Sequence, residues 1–140
     1  MKILLAIDGS KFSQAAVHQL IALMAPREVE VRLLHVIELW PVHIHNLERD
    51  LRQEKREEAE QLLARTAHQL RAAGFNVTTI AKEGDPKADV IDVASEWHAD
   101  LIMLGSHGRK GLERFLVGSV SEAVALHATC SVQIVRTSQS

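Results

Sequence analysis

The amino-acid sequence predicts an α/β protein with a parallel sheet that is covered by helices on both faces. Short apolar runs alternate along the chain with stretches of helical periodicity, and this order is typical of right-handed βαβ units. Asp8, Val36 and Gly105 each fall at the carboxyl end of a predicted strand, where open parallel sheets bind their ligands. A length of 140 residues suits one domain.

The first elements follow directly from the apolar pattern. A continuous apolar run from Ile3 to Ile7 predicts a strand buried on both faces, and Ser10 or Ser13 is a suitable N-cap for the helix that follows. Pro26 marks the end of this helix. Residues 29–37 alternate at first and then become continuously apolar, which predicts a second strand that begins exposed and ends buried.

The middle of the chain predicts two further helices around a third strand. Residues 46–73 carry an apolar stripe at helical spacing, and Gly74 is a suitable residue to follow the end of that helix. Residues 75–81 predict strand three. Gly84-Asp85-Pro86 then supplies a turn, an N-cap and a proline for the first helical position, so a third helix should run through Trp97.

The last elements are a strand at residues 101–104, a loop punctuated by glycines, a helix at about residues 120–127 and a strand from Val132 to Val135.

Composition excludes several classes of partner. The formal net charge of -2 provides no broad basic surface, so we expect no nucleic-acid partner. The apolar run after Met1-Lys2 is too short for a signal peptide or a membrane span, which favours a cytoplasmic protein with no membrane partner. Cys130 is the one cysteine, and we expect it to be a buried small apolar residue.

The loop between strand four and helix four carries the most informative pattern. Gly105-Ser106-His107-Gly108 is followed by nine residues and then by Gly118-Ser119-Val120-Ser121-Glu122. Glycines allow backbone amides to approach an anion closely, and a helix N-terminus adds N–H groups and the positive end of a dipole, so the pattern predicts a phosphate site. The alternative is purely structural: the glycines serve a turn, and Ser119 and Glu122 form a capping box.

The spacing Gly-x2-Gly-x9-Gly-Ser resembles the nucleotide-binding pattern of ATP-binding universal stress proteins of the UspA type. The resemblance extends over nearly the whole chain and includes Ile-Leu-Leu-Ala-Ile-Asp-Gly-Ser at the start, Leu-His-Val-Ile at the end of strand two and Ala-Asp-Leu-Ile-Met-Leu-Gly-Ser-His-Gly around strand four. It implies a Rossmann-like sheet of the adenine nucleotide alpha hydrolase type, with five parallel strands in the order 3-2-1-4-5, and a homodimer formed through strand five.

The resemblance also implies a ligand and its site. The ligand is ATP, or else ADP, AMP or cyclic AMP, with Mg²⁺ bridging the phosphates. The adenine and ribose end of the site corresponds to Ala6, Ile7, Asp8 and Val36. Leu104 and Gly105 are also assigned to the nucleotide site, with Gly105 near the ribose. The positions that bind the phosphates in the family correspond to Gly108, Arg109, Gly118, Ser119, Val120 and Ser121.

Four other features have competing explanations. Asp8 also suits a cap of helix one. Lys110 and Arg114 are expected to be solvated, and only Arg109 is assigned to the phosphates. His43 and His45 lack a third ligand, so we predict no metal site there. The apolar residues 40–42 (Trp40, Pro41, Val42) suit either local packing or a cover for the base or a partner.

Three functions remain open at this stage. The first is a dimeric, nucleotide-binding regulator of the stress response whose protein partner is unknown. The second is a dimeric scaffold that binds no nucleotide, which the intact glycines disfavour. The third is an ATP-consuming enzyme, but the chain has neither a P-loop nor a Gly-x-Gly-x-x-Gly sequence, so we assign no catalytic residue and expect very slow ATP hydrolysis at most.

Overall fold

A computed structural model describes residues 1–38, 45–108 and 117–137 of the chain. Its centre is a five-stranded sheet in which every pair of neighbours is parallel, in the order β3-β2-β1-β4-β5. The strands are β1 (Lys2–Ala6), β2 (Glu30–Ile37), β3 (Asn76–Glu83), β4 (Leu101–Gly105) and β5 (Ser131–Val135). The predicted fold class and strand order are confirmed.

The helices are α1 (Lys11–Leu23), α2 (His45–Ala72), α3 (Pro86–Trp97) and α4 (Ser119–His127). Their bounds lie close to the predicted ones. A 3-10 turn, Pro26–Glu28, was not predicted, although a proline at its first position is favourable. Among the described helices, none combines the length and the apolar character that crossing a membrane requires.

Local side-chain chemistry sets the helix ends. The Ser10 hydroxyl accepts a hydrogen bond from the Ser13 backbone N–H at 3.2 Å, so Ser10 rather than Ser13 is the N-cap of α1. Asp85 caps α3 by accepting from the Lys87 N–H at 3.1 Å. After α2, Gly74 adopts a φ of +97°, a conformation that glycine adopts without steric cost.

Two apolar layers flank the sheet. Successive residues of β1 point to opposite faces, so Ile3 and Leu5 pack beneath α1 and α2, while Leu4 packs beneath α3 and α4. This explains why the first strand is apolar throughout. Cys130, predicted to be buried, is only half-buried beside the second layer, and burial raises the pKa of its thiol.

The topology creates a crevice at one end of the sheet. From β1 the chain proceeds outward to β2 and β3 and then returns to the other side of β1 for β4 and β5. Connections after β1 and β4 therefore diverge, and ligands of open α/β sheets bind at such a switch in strand order.

Candidate functional site

A cleft of about 380 Å³ lies at the carboxyl ends of β1, β2 and β4. It brings together all the sequence-predicted site residues that the structure describes, although they come from distant parts of the chain. They are Ala6, Ile7, Asp8, Val36, Leu104, Gly105, Gly108, Gly118, Ser119, Val120 and Ser121.

Several predicted features fall outside the described residues: Arg109, Lys110 and Arg114 in the glycine loop, and the apolar residues Trp40, Pro41 and Val42. The side chains of His43 and His45 fall outside them too. Within the described residues, no group of three or more His, Cys, Asp or Glu side chains is placed to hold a metal ion.

At the end of β1, Asp8 organises the turn into α1. Its Oδ1 accepts a hydrogen bond from the Ser10 N–H at 2.9 Å, and its own N–H donates to the Ser13 hydroxyl at 3.3 Å. The suggestion that Asp8 caps α1 is therefore wrong, because Ser10 holds that position. Asp8 instead lines the cleft, with its carboxylate beside Gly108.

His35 fixes the neighbouring wall at the end of β2. Its Nδ1 lies 2.7 Å from the Ile7 carbonyl oxygen, and because a carbonyl only accepts, Nδ1 carries the hydrogen. The Ile7 N–H in turn donates to the Leu34 carbonyl at 2.9 Å. These bonds hold the backbone of Ile7 against β2, next to Val36. Sequence reasoning did not assign His35 to the site.

One wall of the cleft is formed by α2 and was not predicted. Lys55, Glu58, Ala59 and Leu62 line it, at the i, i+3, i+4, i+7 spacing of one helix face. The Lys55 ammonium donates to the Glu38 carbonyl at 3.2 Å and so joins this wall to the end of β2. Ala59 and Leu62 belong to the predicted apolar stripe of this helix, whereas Lys55 and Glu58 are charged and lie outside that stripe.

On the opposite side, the carbonyl of Ser106 joins the two ends of the glycine loop. It accepts from the Gly118 N–H at 2.6 Å and from the Ser121 hydroxyl at 2.8 Å. Ser121 is buried, and its hydroxyl hydrogen is donated within the protein. The Ser106 N–H also donates to the Val135 carbonyl at 2.9 Å, which anchors this junction to β5.

The first turn of α4 faces the cleft without a side-chain cap. Gly118 is the N-cap and Ser119 the first helical residue, so the alternative in which Ser119 and Glu122 form a capping box is wrong. A Cβ on Gly118 would lie 3.1 Å from the His107 Cα, so the loop packs closely here. The first backbone N–H groups of a helix have no acceptor within it, and those of Ser119 and Val120 belong to residues that line the cleft.

Gly105 and Gly108, the other two glycines of the Gly-x2-Gly-x9-Gly pattern, serve different purposes. A Cβ on Gly105 would lie 2.5 Å from the carbonyl carbon of Phe12 and 2.6 Å from its oxygen, so Gly105 permits the first turn of α1 to pack against β4. Among the described residues, a Cβ on Gly108 would meet the Asp8 carboxylate alone, at 3.2 Å. Packing alone thus explains Gly105 but not Gly108.

His107 lines the cleft between these glycines. Its ring centroid lies 5.0 Å from that of Phe12, and its Nδ1 lies 2.9 Å from the Ser106 hydroxyl oxygen. The imidazole is therefore held on two sides by side chains of the described residues.

Comparisons with known proteins cover almost the entire chain. A model described as the universal stress protein family matches residues 1–136. Universal stress protein YxiE of Bacillus subtilis (strain 168) is 31% identical over an alignment of 148 residues, gaps included. The alignment covers 96% of this chain and 98% of the relative.

Solved structures share the fold. The structure of hypothetical protein MJ0577 matches with a TM-score of 0.92 and 31% identity over 99% of this chain and 97% of that one. A universal stress protein family protein from Arabidopsis thaliana, At3g01520, was solved with AMP bound. It matches with a TM-score of 0.79 over 99% of this chain and 93% of that one, and at 20% identity this likeness shows the fold alone.

Proposed function

The chain belongs to the universal stress protein family, and we propose that it binds an adenine nucleotide in the cleft and acts as a regulatory module. One observation carries the proposal: the cleft combines an apolar end with an end lined by glycines and a helix N-terminus. A flat aromatic base suits the first end and phosphates suit the second.

We call the apolar end the base half and define it by Ala6, Ile7, Val36, Ala59 and Leu62. Ile7, held by His35 and Leu34, presents a fixed backbone beside Val36. Adenine would bury its faces against these apolar side chains, and its polar edge would meet backbone groups at the strand ends.

We call the other end the phosphate half and define it by His107, Gly108, Gly118 and the first turn of α4, Ser119 to Ser121. Backbone N–H groups and the positive end of the helix dipole favour an anion here. The ribose would lie between the halves, beside Asp8 and Gly105. Mg²⁺ would take most of its ligands from phosphates and water, which suits a cleft without a dedicated cluster of protein ligands among the described residues.

A proline at position 119 tests the phosphate half without disturbing the fold. Proline is favoured at the first position of a helix, and it removes one backbone N–H. In calorimetric titrations with Mg-ATP, Ser119→Pro should bind about tenfold more weakly than wild type, as expected for the loss of one charge-assisted hydrogen bond.

Ser119→Ala is the matched control, because it removes the exposed hydroxyl but keeps the N–H, and it should bind more tightly than Ser119→Pro. Equal affinities of Ser119→Pro and Ser119→Ala would contradict the assignment of phosphates to this turn. The absence of any binding heat with ATP, AMP or cyclic AMP would favour the scaffold that binds no nucleotide.

We further propose that the protein forms a homodimer through β5. This strand is one edge of the sheet, and Val132 and Ile134 along it are only half-buried within the chain. An edge strand with such residues pairs readily with a second copy, in an antiparallel manner about a two-fold axis. Light scattering at micromolar concentration should give twice the 15.5 kDa mass of one chain, and a monomer would contradict this proposal.

A further inference from the structure

The side chain of His35 points from β2 to the face of the sheet that α1 and α2 cover. Leu33 packs in the apolar layer of that face, and residues two apart along a strand point to the same side. In the sheet, β2 lies between β1 and β3, and Ala81 of β3 is the register partner of His35. The ring is half-buried and lines the cleft, so its exposed part opens into the cleft beside the base half.

The Ile7 carbonyl sets the tautomer of this ring. Because Nδ1 lies 2.7 Å from that oxygen and carries the hydrogen, Nε2 of the neutral imidazole has no hydrogen and is an acceptor. Within the described part of the chain, His35 makes no hydrogen bond through Nε2. No buried polar side-chain atom of the described residues lacks a partner. Nε2 is therefore an acceptor that is accessible from the cleft.

The cleft wall beside this acceptor is mainly apolar. Ile7, Ala59 and Leu62 line it on this face of the sheet. Glu58, the acidic side chain that α2 contributes, is exposed. In such surroundings a ligand that donates a hydrogen bond to the acceptor is favoured, and an analogue that lacks the donor leaves the acceptor unpaired.

We propose that His35 is a specificity-determining residue, whose Nε2 accepts a hydrogen bond from the 6-amino group of adenine. This inference rests on the proposed binding of an adenine nucleotide in the cleft. The 6-amino group carries the only N–H donors of the base in an adenine nucleotide, and its second hydrogen remains available for a backbone carbonyl at the strand ends. A 6-oxo purine would present lone pairs to Nε2 instead, so inosine nucleotides should be disfavoured.

AMP and purine riboside 5′-monophosphate form a matched pair of ligands, because they differ only in the 6-amino group. In calorimetric titrations at about pH 8, where imidazole side chains are ordinarily neutral, wild type should bind AMP about fivefold more tightly. His35→Asn retains a side-chain N–H for the Ile7 carbonyl but has no acceptor at the position of Nε2. This variant should bind the two ligands with nearly equal affinity. An undiminished preference for AMP in His35→Asn would overturn the inference.

Glu58→Ala is the control variant, since Glu58 offers the other acceptor side chain of this wall and is exposed. It should keep the fivefold preference of wild type for AMP. Loss of the preference in Glu58→Ala and its retention in His35→Asn would assign the 6-amino group to α2 and contradict the role of His35.

Nitrogen NMR of wild type labelled with ¹⁵N-histidine tests the contact without a substitution. Long-range ¹H–¹⁵N spectra should show His35 with its hydrogen on Nδ1. AMP should shift the Nε2 resonance, whereas purine riboside 5′-monophosphate should leave it almost unchanged. A hydrogen on Nε2, or an Nε2 resonance that saturating AMP does not shift, would overturn this inference and leave nucleotide binding intact. The absence of binding heat with both ligands would overturn the proposed function as well.

Discussion

The base half of the cleft is lined by side chains on β1, β2 and α2, whereas the phosphate half is formed by the backbone of a loop and one helical turn. The base half is part of the apolar layers that hold the sheet and helices together, so its shape follows from core packing. The phosphate half depends on a few close backbone contacts around Ser106 and Gly118. We therefore expect small side-chain substitutions to change stability and ligand binding to different extents in the two halves.

The largest effect is expected at Gly105, where the two halves meet. Gly105→Ala would force a Cβ to within 2.5 Å of the Phe12 backbone, so it should lower the free energy of unfolding by about 3 kcal/mol. Gly108→Ala, three residues later, brings its Cβ to 3.2 Å from an Asp8 carboxylate oxygen and to no other described atom within contact distance, so it should cost well under half as much. Urea denaturation measures both, and equal losses would contradict the distinction between a packing glycine and a cleft glycine.

A smaller effect is expected at Ser121, which holds the phosphate half together. Ser121→Ala removes the buried hydroxyl that donates to the Ser106 and Gly118 carbonyls, and it should destabilise the protein by about 1 kcal/mol. It should also weaken ATP binding, because the first turn of α4 is then less firmly held. Ser119→Ala, at an exposed position two residues earlier, should change stability by less than about 0.5 kcal/mol. Comparable destabilisation by both substitutions would contradict this role of Ser121.

The smallest expected effect is catalytic, because we expect the protein to hydrolyse ATP very slowly. Fast phosphoryl transfer needs a positioned nucleophile and cations that clamp the transition-state charge. In the described part of the phosphate half, the Ser121 hydroxyl donates to backbone carbonyls, and the His107 Nδ1 pairs with the hydroxyl of Ser106, which lies outside the cleft lining. Phosphate release from saturating Mg-ATP should therefore stay below about one turnover per minute. A rate of about one per second that disappears in His107→Ala would indicate an enzyme instead.

The two halves also differ in how far the sequence predicted them. Continuous apolar runs such as Ile3 to Ile7 identify buried strands, and the residues just after them necessarily meet at one edge of a parallel sheet. The approach of α2 was not predictable in this way, because Lys55 and Glu58 are charged and their place in the cleft depends on how the long helix packs.

In the phosphate half, sequence patterns identified the loop but not its internal bonds. Ser119 and Glu122 match a capping box, yet the N–H of Gly118 bonds to the Ser106 carbonyl and Gly118 becomes the N-cap. That bond depends on a contact between residues 12 positions apart, which a local pattern does not contain. The packing role of Gly105 could not be predicted from the local sequence either, because the backbone atoms that leave no room for a Cβ there belong to Phe12.

A comparison of adenosine with AMP tests the central proposal most directly. Both ligands are titrated into ¹⁵N-labelled protein, and the amide shifts of the two halves are compared. Adenosine should shift the amides of Ile7 and Val36 and leave Ser119 and Val120 almost unchanged, whereas AMP should shift both sets and bind more tightly. Identical shift patterns and affinities for the two ligands, or shifts that avoid both halves, would contradict adenine-nucleotide binding in this cleft.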